Sequence, residues 1–289
     1  MVNRSLVRRK SIMRLMGRFW TAALLALIAE VISLAVSYLQ SAVYKAVGVK
    51  LITAQQLVST EAIDAYFTEF MADRWGLVKL VAIFAGGLLA TFILSAPLRF
   101  GTLKWHYSVV KGSPKTLGWA LNEYGSPKSI GRSLWIYIYT GLHYLKWGLL
   151  IFSAPLSMAV GGSLLYGPGR EGVAGMLMSF GVVAATGCAV LFVYVTNRLF
   201  LAPYIYADGG ISAFGAVRES KARMRGQSGG LLVFQLSLIP LILISSILCY
   251  GAGTIIVAPF ASMCYATYAD EILTGGSAEE EEKIEYTVE

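Results

Sequence analysis

The chain has 289 residues, of which 56% are hydrophobic and only 14% charged, with a formal net charge of +7. A soluble domain carries roughly 25% charged residues. The apolar residues here come in blocks, and neither 173–194 nor 231–269 contains a charged side chain, which excludes an ordinary soluble enzyme.

A run of about 18 apolar residues crosses the hydrocarbon core as a helix. Backbone in lipid must satisfy its own hydrogen bonds, so the blocks are expected to be helical. Six spans follow in chain order: 19–44, 77–97, a third within 133–165, then 173–201, 230–250 and 254–268. The fold class is therefore all-α, a polytopic transmembrane helical bundle. Residues 1–273 form one transmembrane domain, and 274–289, with the run Glu279–Glu282, form an acidic disordered cytoplasmic tail. The split between the last two spans rests on Gly251-Ala252-Gly253. Five spans is the alternative, and it would put the tail outside. The basic N-terminus resembles a signal peptide, but 20–44 is too long for a signal h-region and no small-residue cleavage site follows it. It reads as a retained first helix.

Cytoplasmic loops concentrate Lys and Arg. With the N-terminus inside, sixteen such residues fall in inner segments, from Arg4 to Arg225, against five outside: Lys45, Lys50, Arg74, Lys79 and Arg170. The reading is a multi-pass protein of the cell membrane with both ends cytoplasmic. The same rule accounts for the positive charge without nucleic acid. The outer segment between spans one and two carries Glu61, Asp64, Glu69 and Asp73, and Thr53 and Gln56 have capping-box spacing. A surface helix is expected there, with a ligand-capturing lid as the alternative.

Short patterns recur. Met16-Gly17-Arg18, Gly131-Arg132 and Arg225-Gly226 each precede a span, while Ala96-Pro97, Ala202-Pro203 and Ala258-Pro259 mark the second, fourth and sixth spans. They suggest three tandem hairpins, each introduced by a short cytoplasmic interfacial helix, and internal repeats are common in transport folds. The clearest interfacial helix is 211–225. Ile211, Phe214, Val217 and Met224 fall near one face, with Arg218, Glu219 and Arg225 opposite, and Glu219 and Arg223 spaced to pair. Such a basic amphipathic helix suits anionic headgroups. The candidate headgroup contacts are Arg198, Arg218, Lys221, Arg223 and Arg225, with Arg198 snorkelling from the fourth span.

No motif carries enzyme chemistry, and none calls for a metal or cofactor. Cys188, Cys249 and Cys264 lie in apolar runs and read as small hydrophobes. His106 sits between Trp105 and Tyr107, in an aromatic girdle. Ionisable residues within spans are the default candidates for a function. Glu30 in the first span and Lys146 in the third could pair and line a polar path, if the third span begins near Ser133; if it begins near Tyr144, Lys146 is interfacial.

The run Glu219-Ser220-Lys221-Ala222-Arg223-Met224-Arg225-Gly226, followed by the apolar 231–243, resembles a signature of a bacterial membrane family, domain of unknown function nine-seven-five. Met16-Gly17-Arg18-Phe19-Trp20, Ala96-Pro97-Leu98-Arg99-Phe100-Gly101 and Ala258-Pro259 resemble its other motifs, in the same order. The resemblance covers about residues 8–273, although the outer loop is longer than the family's usual one. It implies a bacterial multi-spanning protein related to the membrane domains of some glycerophosphodiester phosphodiesterases, and it brings no catalytic residues. Two functional readings follow: a non-enzymatic membrane component that binds lipid or a membrane protein partner, or a small-solute transporter or permease subunit.

Overall fold

The computed structural model describes residues 2–48, 75–165, 170–248 and 253–275. The expected helix near Thr53 and Gln56, the Gly251-Ala252 break, Cys249 and the Glu279–Glu282 run lie outside these residues. The described residues form an all-α bundle: α1 (Arg4–Leu15), α2 (Phe19–Val47), α3 (Gly76–Val110), α4 (Leu117–Leu121), α5 (Pro127–Leu165), α6 (Glu171–Thr196), α7 (Ala202–Asp208), α8 (Ala213–Arg223), α9 (Ser228–Leu236), α10 (Ile239–Leu248) and α11 (Gly253–Thr274). Short 3-10 turns at Asn122–Tyr124 and Asn197–Leu199 follow α4 and α6. Short helices α1 and α4 each precede two longer ones, and α8 precedes α9, α10 and then α11.

Five stretches are long and apolar enough to cross a membrane: Phe19–Val47, Val78–Val110, Pro127–Gly162, Gly172–Asp208 and Ser228–Ser245. Helix α11 has 22 residues, about 33 Å at 1.5 Å per residue. Its second half brings Thr267, Asp270 and Glu271 into protein contact rather than lipid.

Burial divides the molecule into two layers. Leu34, Leu88, Leu149, Phe180 and Val183 are all more than half exposed, as side chains facing lipid would be. The buried core lies at the other end. It comprises Leu15 and Leu25, the stretch from Leu98 to Val110, then Leu199 to Tyr206, Met224, Phe234 and Met263 to Ala269. Ala96-Pro97 and Ala258-Pro259 precede core-forming segments, and Ala202-Pro203 lies within one.

This explains where the spans depart from expectation. The second does not close at Pro97, because α3 continues to Val110. Proline lacks an N–H and disrupts the ladder one turn back. The Tyr124 hydroxyl enters that gap, donating to the Leu94 carbonyl and lying within reach of the Leu98 N–H. A side chain inserted into the ladder is a recognised way to accommodate a kink. Desolvation pushes the Tyr124 phenol above its ordinary range, with the Leu98 amide opposing it, so the hydroxyl keeps its proton.

The fifth span is broken at Ser237-Leu238 into α9 and α10. Pro240 cannot donate to the preceding turn, and Arg8 of α1 bonds both the carbonyl and the hydroxyl of Ser237. The fourth ends as a helix at Thr196 rather than 201, and the last helix runs to Thr274. The three glycine–basic patterns are not equivalent. Gly17 (φ 76°) and Gly226 (φ 85°) make left-handed turns between helices, where glycine meets no Cβ penalty. Gly131 lies inside α5, and the short helix before that pair is α4.

The last helix returns to the first. Lys10 Nζ lies 2.8 Å from Glu271 Oε1 with both side chains largely buried, and Ser11 Oγ donates to Thr267 Oγ1 at 3.1 Å. The described chain therefore ends at the end of the bundle where α2 begins.

Helices α3 and α4 approach so closely that a Cβ on Gly101 would stand 2.0 Å from the Ala120 carbonyl oxygen. Gly101→Ala is expected to lower stability by about 1–3 kcal/mol, the usual cost of overpacking. Thermal unfolding of the detergent-solubilised protein reads this as a lowered midpoint.

Candidate functional site

The interfacial helix expected over 211–225 forms as α8, with the Ser212 side chain capping its first turn by accepting from the Gly215 N–H. Its buried stripe is Ala213, Ala216, Val217, Ser220 and Met224. Ile211 and Phe214, expected on that face, are exposed instead. The rings of Phe214 and Tyr139 of α5 meet edge to face at 6.0 Å. In a membrane protein an apolar side chain can face lipid as readily as core, so the small residues of α8 take the protein side.

The stripe fixes the neighbouring turn. Ser220 Oγ, fully buried, donates to the Arg198 carbonyl at 2.8 Å. On the other side Asn197 and Gln235 exchange two amide hydrogen bonds, at 3.0 and 3.1 Å. Buried polar groups of this kind hold position when each is satisfied. The backbone that carries Arg198 is thus held from both α8 and α9.

Around this turn lies a cavity of about 300 Å³, lined by Trp147 of α5, Val195, Arg198 and Leu199 of the α6 end, Lys221 of α8, and Arg225. Arg198, Lys221 and Arg225 join no ion pair among the described residues. Desolvation holds Lys221 below the ordinary lysine range, and the positive field of Lys146 lowers it further. Three cations converging on one concave space, with an indole in its wall, suit an anion attached to an apolar body.

The other candidates sort differently. The expected Glu219–Arg223 pair forms at 2.7 Å. Arg223 also donates to the Leu273 carbonyl at 3.0 Å, so it caps the end of α11 rather than lining the cavity. Arg218 is exposed and is not among the lining residues. Lys146 is exposed and acts on Lys221, which places it beside the basic group.

Glu30 is elsewhere. It stands on the wall of a second cavity with Arg99 and His106. The structure does not bring Glu30 and Lys146 together, and neither joins an ion pair among the described residues. Sequence reasoning missed Arg99, taken only as a loop cation, and set His106 aside as part of an aromatic girdle. The continuation of α3 beyond Pro97 is what carries both residues onto the cavity wall.

An anion held in the basic cavity favours the charged form of Lys221. Raising the pH through the lowered pKa of that lysine removes the charge, whereas the arginines keep theirs. Binding of phosphatidylglycerol in nanodiscs should weaken between pH 7 and 10 in the native protein and stay nearly flat in Lys221→Arg. No family model matches this chain, and no curated protein or solved structure matches it.

Proposed function

We propose that this protein is a non-enzymatic component of a bacterial cell membrane that holds an anionic lipid headgroup in the basic cavity. The convergence of Arg198, Lys221 and Arg225 on one cavity carries this reading. Among the described residues these cations join no ion pair, and charge-assisted hydrogen bonds to phosphate oxygens are among the stronger polar contacts a protein makes. The neighbouring exposed surface is apolar, with Leu145, Leu149 and Val193 able to meet acyl chains.

The excess of Lys and Arg in one set of loops supports a cytoplasmic position for both ends and for the basic cavity. Membership in the family of domain of unknown function nine-seven-five belongs to the same proposal, and rests on the motifs of residues 16–20, 96–101, 219–226 and 258–259.

Replacing Lys221 and Arg225 together by Ala tests the reading. Native mass spectrometry of the detergent-purified full chain should show phosphatidylglycerol bound over phosphatidylcholine, with at least a tenfold loss of that preference in the double variant. An unchanged preference, with an unchanged melting midpoint, would overturn it.

A further inference from the structure

The second cavity, of about 280 Å³, is a trough between α2, α3 and α11 with Tyr204 of α7 contributing to its wall. Helical periodicity builds it. Ala22, Ala26 and Ala29 recur on one face of α2 at spacings of three and four, and their small side chains leave the space open. Arg99, Thr102 and His106 recur in the same way on α3.

Its polar groups are of both signs. Glu30 and Arg99 line the same space, yet neither enters an ion pair among the described residues. Both are exposed, so the trough is open along its charged side. His106 is buried, and its Nε2 has no hydrogen-bond partner. Its Nδ1 lies 2.8 Å from the Thr102 carbonyl oxygen. A carbonyl only accepts, so Nδ1 carries the hydrogen, and the neutral ring presents Nε2 as an acceptor. A buried polar atom left unsatisfied calls for an explanation, and a ligand donor supplies one.

We propose that this cavity binds a zwitterionic group that combines a primary ammonium with a phosphate, as in phosphoethanolamine. Glu30 and the Nε2 of His106 are two acceptors for the ammonium, and Arg99 answers the phosphate. The alanines and leucines of the wall receive the carbon skeleton. A trimethylammonium group has no N–H to donate, so the site discriminates against choline even though Glu30 attracts either cation. The phosphoethanolamine group comes from a membrane lipid or from a soluble molecule, and its chemistry is the same in both. This site is separate from the basic cavity and does not depend on the function proposed there.

The test uses the full chain in detergent, titrated with phosphatidylethanolamine and phosphatidylcholine of matched acyl chains and read by native mass spectrometry. The expected result is at least a tenfold preference for the ethanolamine lipid, lost in Glu30→Gln and in Arg99→Gln and kept in the Lys221→Ala, Arg225→Ala double variant. Because Glu30 and Arg99 are exposed, both single variants should melt as the native protein does. Free phosphoethanolamine then separates the sources. Displacement of the lipid by it supports a soluble ligand, and no displacement supports a lipid-held one. Equal binding of the two lipids would overturn the proposal. So would a preference that survives both single variants, or one that disappears in the basic-cavity variant.

Discussion

The rest of the molecule depends on an aromatic contact layer where the three Ala-Pro segments converge. Phe100 of α3 meets Tyr206 of α7 at 5.8 Å, and Tyr107 meets Tyr204 at 5.5 Å. Phe200 reaches Tyr265 and Tyr268 of α11, and Tyr268 stacks on Phe234 of α9 at 5.0 Å. Lipid tails are as apolar as leucine, so the hydrophobic effect does not draw helices together within the bilayer. The buried side chains are gathered at one end of the bundle. Ring pairs in such offset and edge-on arrangements contribute roughly 0.5–1.5 kcal/mol each beyond the area they bury.

Electrostatics fastens the same layer. Glu271 answers Lys10, Glu123 answers Lys104 and Asp208 answers Lys111, at 2.8, 2.5 and 2.5 Å. These pairs join α1 to α11, α3 to the turn after α4, and α3 to the end of α7. The Lys111–Asp208 pair is well exposed and contributes little, in keeping with surface pairs generally. The pair of Lys10 and Glu271 is largely buried, and its loss would leave an uncompensated charge inside the protein. Arg198, Lys221 and Arg225 join none of the ion pairs among the described residues.

The fold class was legible because apolar runs long enough to cross a membrane can be read directly from the order of the residues. The Glu219–Arg223 pair was legible because i to i+4 spacing puts two side chains on one face of a helix. The face of α8 was misread at Ile211 and Phe214, since apolar character marks burial only when the surroundings are water. The length of α3 was not legible either. Pro97 reads as a stop, yet the helix continues, with the hydroxyl of Tyr124, 27 positions on, bonded to the Leu94 carbonyl. The continuation of α3 puts Arg99 and His106 on the cavity wall with Glu30.

The final helix returns to the first, closing the core and setting both described ends of the chain at one end of the bundle. Cysteine cross-linking tests it most directly. Ser11→Cys and Thr267→Cys would be introduced together in a chain whose Cys188, Cys249 and Cys264 are replaced by Ala, and membranes would then be treated with a mild oxidant. Rapid intramolecular cross-linking, reversed by reductant, is expected, and none with cysteine placed at Leu34 instead of Ser11. Failure of the 11–267 pair to cross-link in a folded, inserted protein would contradict it.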